Sequence, residues 1–229
     1  MFKINDEKPL IVEIEGKKYE RWAVQTPVLV KGDSILDAVK TYAVPEMKQG
    51  DVILISEKAL ACTQSRAIPL DEIHPRPLAK FLSKYVTKSP HGIGLSMPET
   101  MEMALVECGT IRILFAAFVS AIGKLFGQKG IFYVIAGPKA KSIDGPCWYT
   151  IEPYNHYVVL GPENPEKAAK DIMEETGYGA AIIDANDLGI DILGSSGHID
   201  ETLIKKIWKD NPLGQAGQST PFGVVREAK

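Results

Sequence analysis

The apolar run Ala180 to Ile183 ends in Asp184, Asn186 and Asp187, and Asp191 follows, placing three carboxylates and an amide within eight residues. Carboxylate and amide oxygens grouped in this way suit a hard divalent cation such as Mg²⁺ or Mn²⁺, which commonly bridges to substrate phosphates. By itself the run also fits a solvated turn, because Asp and Asn side chains bond nearby backbone N–H groups. Two further segments bear on the choice. Ala140 to Pro146 (AKSIDGP) holds Asp144 in a Gly-Pro turn. Asn211 to Thr220 (NPLGQAGQST) sets Gln215, Gln218, Ser219 and Thr220 among Gly214, Ala216 and Gly217. Glycine-rich turns leave backbone N–H groups open to phosphate oxygens.

These residues need elements to hold them. After a turn at Lys48 to Asp51, Val52 to Ile55 is a continuous β-branched run, expected as a strand buried on both faces and ending at Ser56-Glu57-Lys58. Val28 to Val30, Gly130 to Ala136, Asn155 to Leu160, Ala180 to Ile183 and the closing PFGVVR are expected as further strands. Ser34 is placed to start a helix, and Leu78 to Val86, Pro98 to Gly109 and Glu201 to Trp208 have helical character. Pro165 to Thr176 is a helix with Pro in its first turn and Gly177 past its end. The 12 apolar-rich residues from Ile111 to Ile122 fall short of the ~20 that span a membrane and read as a buried helix or strand pair. Strands alternate with helices without a strict βαβ rhythm. The expected class is therefore α/β (α+β), mixed sheets with helices, in one unit over 1–229 that accommodates a subdomain around 90–160.

Bulk properties narrow the function. The chain has 229 residues, 45% hydrophobic and 24% charged, with a formal net charge of -3. Its basic residues are scattered, so neither a nucleic-acid partner nor a membrane partner is expected. Cys62, Cys108 and Cys147 are odd in number and lack metal-ligand spacing; reduced thiols and a cytoplasmic location are expected, with Cys62 and Cys147 as small buried residues. The N-terminal MFKINDEKPL has no apolar core of a signal peptide. Gly137 to Ser142 lacks the second glycine of a Walker A loop, and Gly92-Ile93-Gly94 meets Met97 where a dinucleotide fingerprint needs its third glycine. The four histidines, His74, His91, His156 and His198, form no catalytic order. Met97, Met101 and Met103 are expected as core.

Taken in order, five segments resemble the coenzyme F420-0:L-glutamate ligase (γ-glutamyl ligase) family. Gln25-Thr26-Pro27-Val28 and Lys31-Gly32-Asp33 fall where that family has an IPIKG-like segment and a GD turn. GDVILISEKALACTQSR, from Gly50 to Arg66, resembles its GDVLVVTSKIVSKAEGR. AKSIDGPC is similar to its NAGIDxSN, IIDANDLG stands in place of its SDTFGRPWR, and GQAGQSTPFGVVR resembles its GQGDEGTPVVIVRG ending.

The resemblance implies an intertwined homodimer that joins L-glutamate to a carboxylate acceptor, using GTP (or another nucleoside triphosphate) and Mg²⁺ or Mn²⁺. It implies an acyl phosphate on the acceptor, chemistry that requires positioning and charge neutralisation rather than a protein nucleophile. Lys58 and Asp144 would be catalytic. Gln25, Thr26, Pro27, Val28, Ser56, Lys58 and the loop Gly214, Gln215, Ala216, Gly217, Gln218, Ser219, Thr220 would hold the nucleotide. Asp144, Asp184, Asn186, Asp187 and Gln215 would approach the metal. The chain departs from the family at Cys62, where the family has its second lysine, at Cys147 in place of Asn, and in the loss of both arginines of SDTFGRPWR. Two other functions are compatible with these departures: a nucleotide- or phosphate-binding homologue without ligase activity, and a metal-dependent hydrolase.

Overall fold

The computed structural model describes residues 2–5, 7–86, 93–128, 130–186, 189–214 and 217–228. In chain order the elements are β1 (Phe2–Lys3), β2 (Ile11–Ile14), β3 (Lys17–Val24), α1 (Ile35–Tyr42), β4 (Val52–Ser56), α2 (Glu57–Thr63) and β5 (Ala67–Pro69). Then come α3 (Pro77–Leu82), α4 (Pro98–Glu107), α5 (Thr110–Leu125), α6 (Ile131–Ala136), α7 (Pro138–Lys141) and β6 (Tyr157–Val159). The chain closes with α8 (Pro165–Thr176), β7 (Gly179–Asn186), β8 (Gly189–Ser195), α9 (Glu201–Ile207) and β9 (Phe222–Glu227). Two compact units result, one from 1–65 with 162–229 and the other from 66–161.

The first unit is built on the two β-branched runs. β4 and β7 pair in parallel, Ile55 against Ile182, and each is covered on both faces. The mixed sheet has the order β1-β3-β9-β4-β7-β8, with β2 also on β3. β9 is antiparallel to both β3 and β4, so β3, β4 and β7 run in the same direction. One face packs Ile53, Ile55, Ile182, Phe222 and Val224 against Val39 of α1 and Ile172 of α8. The other packs Leu54, Ala181, Ile183 and Val225 against Ile204 and Ile207 of α9 and the fully buried Trp208. Gly223 makes that approach feasible: an added Cβ would lie 2.3 Å from the Trp208 ring.

Buried ions tie the strands to their surroundings. Asp51, in the turn before β4, accepts two bonds from Arg226 of β9, at 2.9 and 2.7 Å, with its own side chain only 1% exposed. That carboxylate holds the Arg226 guanidinium even further above its ordinary pKa. Arg21 of β3 is buried, donating to the carbonyls of Ile207 and Pro9 and to Asp210.

Helix ends follow local chemistry. Ser34 caps α1 by accepting from Asp37 N–H at 3.1 Å, and α8 begins at Pro165 and ends at the left-handed Gly177. Three expected strands differ. Val28 to Val30 is a loop, since Pro27 has no N–H to give a ladder and the sheet partner of β9 is β3 instead. Ile131–Ala136 is helical: a short apolar run does not distinguish strand from buried helix, and here Ile131 packs over Gly123 of α5. Only Tyr157–Val159 of the expected Asn155 to Leu160 strand pairs, with β5.

The second unit surrounds Leu95, Met101, Leu105, Ile113, Ile143 and Val158 with α3 to α7 and the β5–β6 pair. Within it Arg66 and Lys139 both meet Glu107, at 2.6 and 3.0 Å. Burial pushes the Glu107 pKa up, but these hydrogen bonds outweigh it, and the carboxyl sits below its ordinary value. Where the chain leaves and re-enters the first unit, Gln64 and Glu163 exchange two bonds, at 2.9 and 2.7 Å. Just inside the second unit, Leu160 N–H donates to the Arg66 carbonyl at 2.9 Å. Among the described residues no single helix is long and apolar enough to cross a membrane.

Gly223→Val should cost about 1–3 kcal/mol in urea unfolding, because the ring of Trp208 has nowhere to retreat. Glu107 has a depressed folded pKa, so its contribution is present above the ordinary carboxylate range and is lost as pH falls through the lowered value. A Glu107→Gln variant should therefore show a shallower fall of stability on the acid side, measured by denaturant midpoints across pH.

Candidate functional site

Because β3, β4 and β7 run the same way, their carboxyl ends share one edge of the sheet, where β9 begins and β8 also starts. Each strand ends there in polar sequence. β3 leads into Gln25 to Val28, β4 into Ser56 and Lys58, and β7 into Asp184 and Asn186. β9 is preceded by residues 211–214 and 217–221. Hydrogen bonds join these segments directly. Thr26 N–H donates to Ser219 O at 3.0 Å, Ser219 Oγ donates to Thr26 O at 2.8 Å, and Gln25 Nε2 donates to Gln218 O at 3.3 Å. Ser56 N–H donates to Pro221 O at 2.8 Å.

The loop is shaped by its own chemistry. Asn211 and Ser219 sit at left-handed φ of 49° and 53°, and Gly214 at 83°. A non-glycine residue there costs roughly 1–2 kcal/mol, offset by the bonds of Ser219 to Thr26 and of Thr220 Oγ1 to Leu213 O at 2.6 Å. Thr26 is buried, Pro27 and Gln25 are exposed, and Val28 is half-buried. Lys58 is exposed on the first turn of α2, while Glu57 beside it is buried. Glu57 follows directly on a buried β-branched run, a place in the sequence where an acidic residue signals an unusual environment.

The acidic run takes a different form from a turn. β7 continues through Asp184 to Asn186 and pairs with β8, so that Asp184 stands opposite Asp191 and Asn186 opposite Gly189. Strand alternation puts Asp184 and Asn186 on the same face as Ile182. Asp187, Gln215 and Ala216 lie outside the described residues. Among the described residues no group of three or more His, Cys, Asp or Glu side chains is arranged to hold a metal.

Asp144 belongs to the second unit. Its backbone is bridged to Val159, the two N–H groups donating at 2.8 and 2.9 Å. Cys62 is buried in α2, as expected, whereas Cys147 is only half-buried.

The F420-0:gamma-glutamyl ligase family model matches residues 23–178. The chain belongs to that family. The match begins at the end of β3 and takes in Gln25 to Val28, Ser56, Lys58 and Asp144. It stops one residue before β7, so Asp184, Asn186, Asp187 and the 214–220 loop lie beyond it. No curated protein matches the chain.

Ser219→Ala should remove the hydroxyl clamp on the Thr26 carbonyl, at a cost of about 0.5–1.5 kcal/mol. Amide exchange at Thr26 should accelerate, as read by hydrogen–deuterium exchange of the 23–30 region.

Proposed function

We propose that the chain is a metal- and nucleotide-dependent γ-glutamyl ligase, forming an amide between L-glutamate and a carboxylate acceptor of the F420-0 kind or another. The observation that carries this is the convergence of Gln25 to Val28, Ser56, Lys58, Asp184, Asn186 and residues 211–214 and 217–221 on the carboxyl edge of three parallel strands. That edge is where open α/β sheets place ligands. The donor set is of the kind a divalent cation takes: Asp184 and Asn186 would offer oxygens on one face of β7. Asp187 and Gln215 complete the proposed set. When bound, Mg²⁺ or Mn²⁺ would supply neutralisation of the phosphate charge.

The residues of the chain then have distinct work. Gly214, Gly217 and the polar side chains of Gln218, Ser219 and Thr220 would seat the phosphates of GTP, with Gln25 to Val28 on the nucleotide and Ala216 in the same loop. Lys58 would offset charge on the phosphoryl group as an acceptor carboxylate oxygen attacks phosphorus and GDP departs. The glutamate amine then attacks the acyl carbon, and phosphate leaves. Asp144 is assigned its catalytic and metal-binding roles from the family resemblance alone. A homodimer in the cytoplasm is the proposed working state.

A second reading has its own observation. The family's second lysine falls on Cys62, which is buried and cannot present charge to a phosphate, so a homologue that binds nucleotide without ligating is the alternative.

GTP with Mn²⁺ should stabilise the protein by about 2.7 kcal/mol at a hundredfold excess over Kd, read as a rise in Tm, and Asp184→Ala should abolish it. Stabilisation without any cation dependence would remove the metal site. GDP release that requires both glutamate and an acceptor identifies a ligase; nucleotide binding without turnover identifies the second reading.

A further inference from the structure

The apolar stretch expected to be buried is buried on one side only. In α5 the stripe Ile113, Ala116 and Gly123 faces the core of the second unit. The opposite stripe, Ile111, Phe115, Phe118, Ile122 and Leu125, repeats every three or four residues and is exposed, Ile111 and Leu125 to 84% and Phe118 to 64%. A helix that is apolar all round is ordinarily enclosed on both sides. The exposed surface continues at the helix's C-terminal end. Lys124 Nζ donates to the Tyr85 carbonyl at 3.2 Å, and exposed Tyr85 packs against exposed Phe81 with ring centroids 5.1 Å apart. At the other end Ile111, Arg112 and Phe115 line an open depression of about 640 Å³.

Charge selects the occupant. Residues 108–143, between Glu107 and Asp144, contain five Lys and Arg and no Asp or Glu; Lys139 among them is paired with Glu107, whereas Arg112 and Lys124 stand on α5 itself. Lys80 and Lys84 flank Phe81 and Tyr85, and both are exposed. A second copy would set this cationic surface against itself. The juxtaposed helix α4 meets α5 at 117° and buries Met101, Ala104 and Leu105, so the pair is not one continuous span.

We propose that the outer face of α5, with Phe81 and Tyr85, docks on an anionic phospholipid bilayer. The aromatic and aliphatic side chains enter the boundary between headgroups and acyl chains, while Lys80, Lys84 and Lys124 meet lipid phosphates. This goes beyond the small-molecule partners of the ligase reading and does not depend on it.

The test is co-sedimentation of the full chain with vesicles of phosphatidylcholine alone or mixed with phosphatidylglycerol, at low and high salt. Binding is expected to the anionic vesicles only, to fall at high salt, and to drop about fivefold for each lysine removed in Lys84→Gln or Lys124→Gln. The double variant Phe115→Ser/Phe118→Ser should lose binding while its circular dichroism and Tm stay unchanged. Equal partitioning to neutral vesicles, or none to anionic ones, would overturn the proposal. So would a dimer in size-exclusion light scattering that dissociates in the Phe115→Ser/Phe118→Ser variant.

Discussion

The first unit depends on one insertion: the last strand of the chain, β9, enters antiparallel between β3 and β4. Without it the sheet separates into an N-terminal ribbon and a β4–β7–β8 piece, each with an unpaired row of backbone N–H and C=O groups. The insertion is specified by side chains as well as by the ladder. Phe222 fills one face, Gly223 admits the ring of Trp208 on the other, and Arg226 locks onto Asp51. Its polarity sets where the preceding loop lies. Because β9 starts at the carboxyl ends of its neighbours, the loop preceding it is delivered to the segments following β3 and β4.

Much of this fold could be read locally. β4 and β7 are β-branched runs of strand length, and α8 carries a proline at its start and a glycine past its end. β3 escaped notice because its inward row is Tyr19, Arg21 and Ala23, and a buried arginine interrupts the expected alternation of apolar and polar residues. α6 is ambiguous in sequence because six apolar residues fit a buried strand and a short helix equally well. The same ambiguity hid the two-faced character of α5, since burial of one stripe and exposure of the other is a property of packing.

The candidate site was legible as segments rather than as an arrangement. Gly214 to Thr220, Gln25 to Val28 and Ser56 with Lys58 were each recognisable by composition or resemblance. Strand order brings them to one edge, and strand order is set by long-range pairing that no local window contains. Asp184 shows the limit most clearly: its sequence suits a turn, yet β7 carries it onward into a hairpin, and the pairing with Asp191 turns a polar cap into two opposed charges. Family membership and this geometry have different reach, because the matched span ends before β7 begins.

The paired crossings at Gln64 with Glu163 and at Arg66 with Leu160 bear on how such a chain can change. The ends of residues 66–161 are held side by side, so to the sheet of the first unit this whole segment is topologically a single loop. The entropy of closing a loop grows only with the logarithm of its length. A long insert there is therefore hardly costlier to the sheet than a short one, provided that it folds on its own. The segment is free to acquire a surface unlike the rest of the chain, including an apolar, cation-rich face, while the strands that carry the candidate site keep their register.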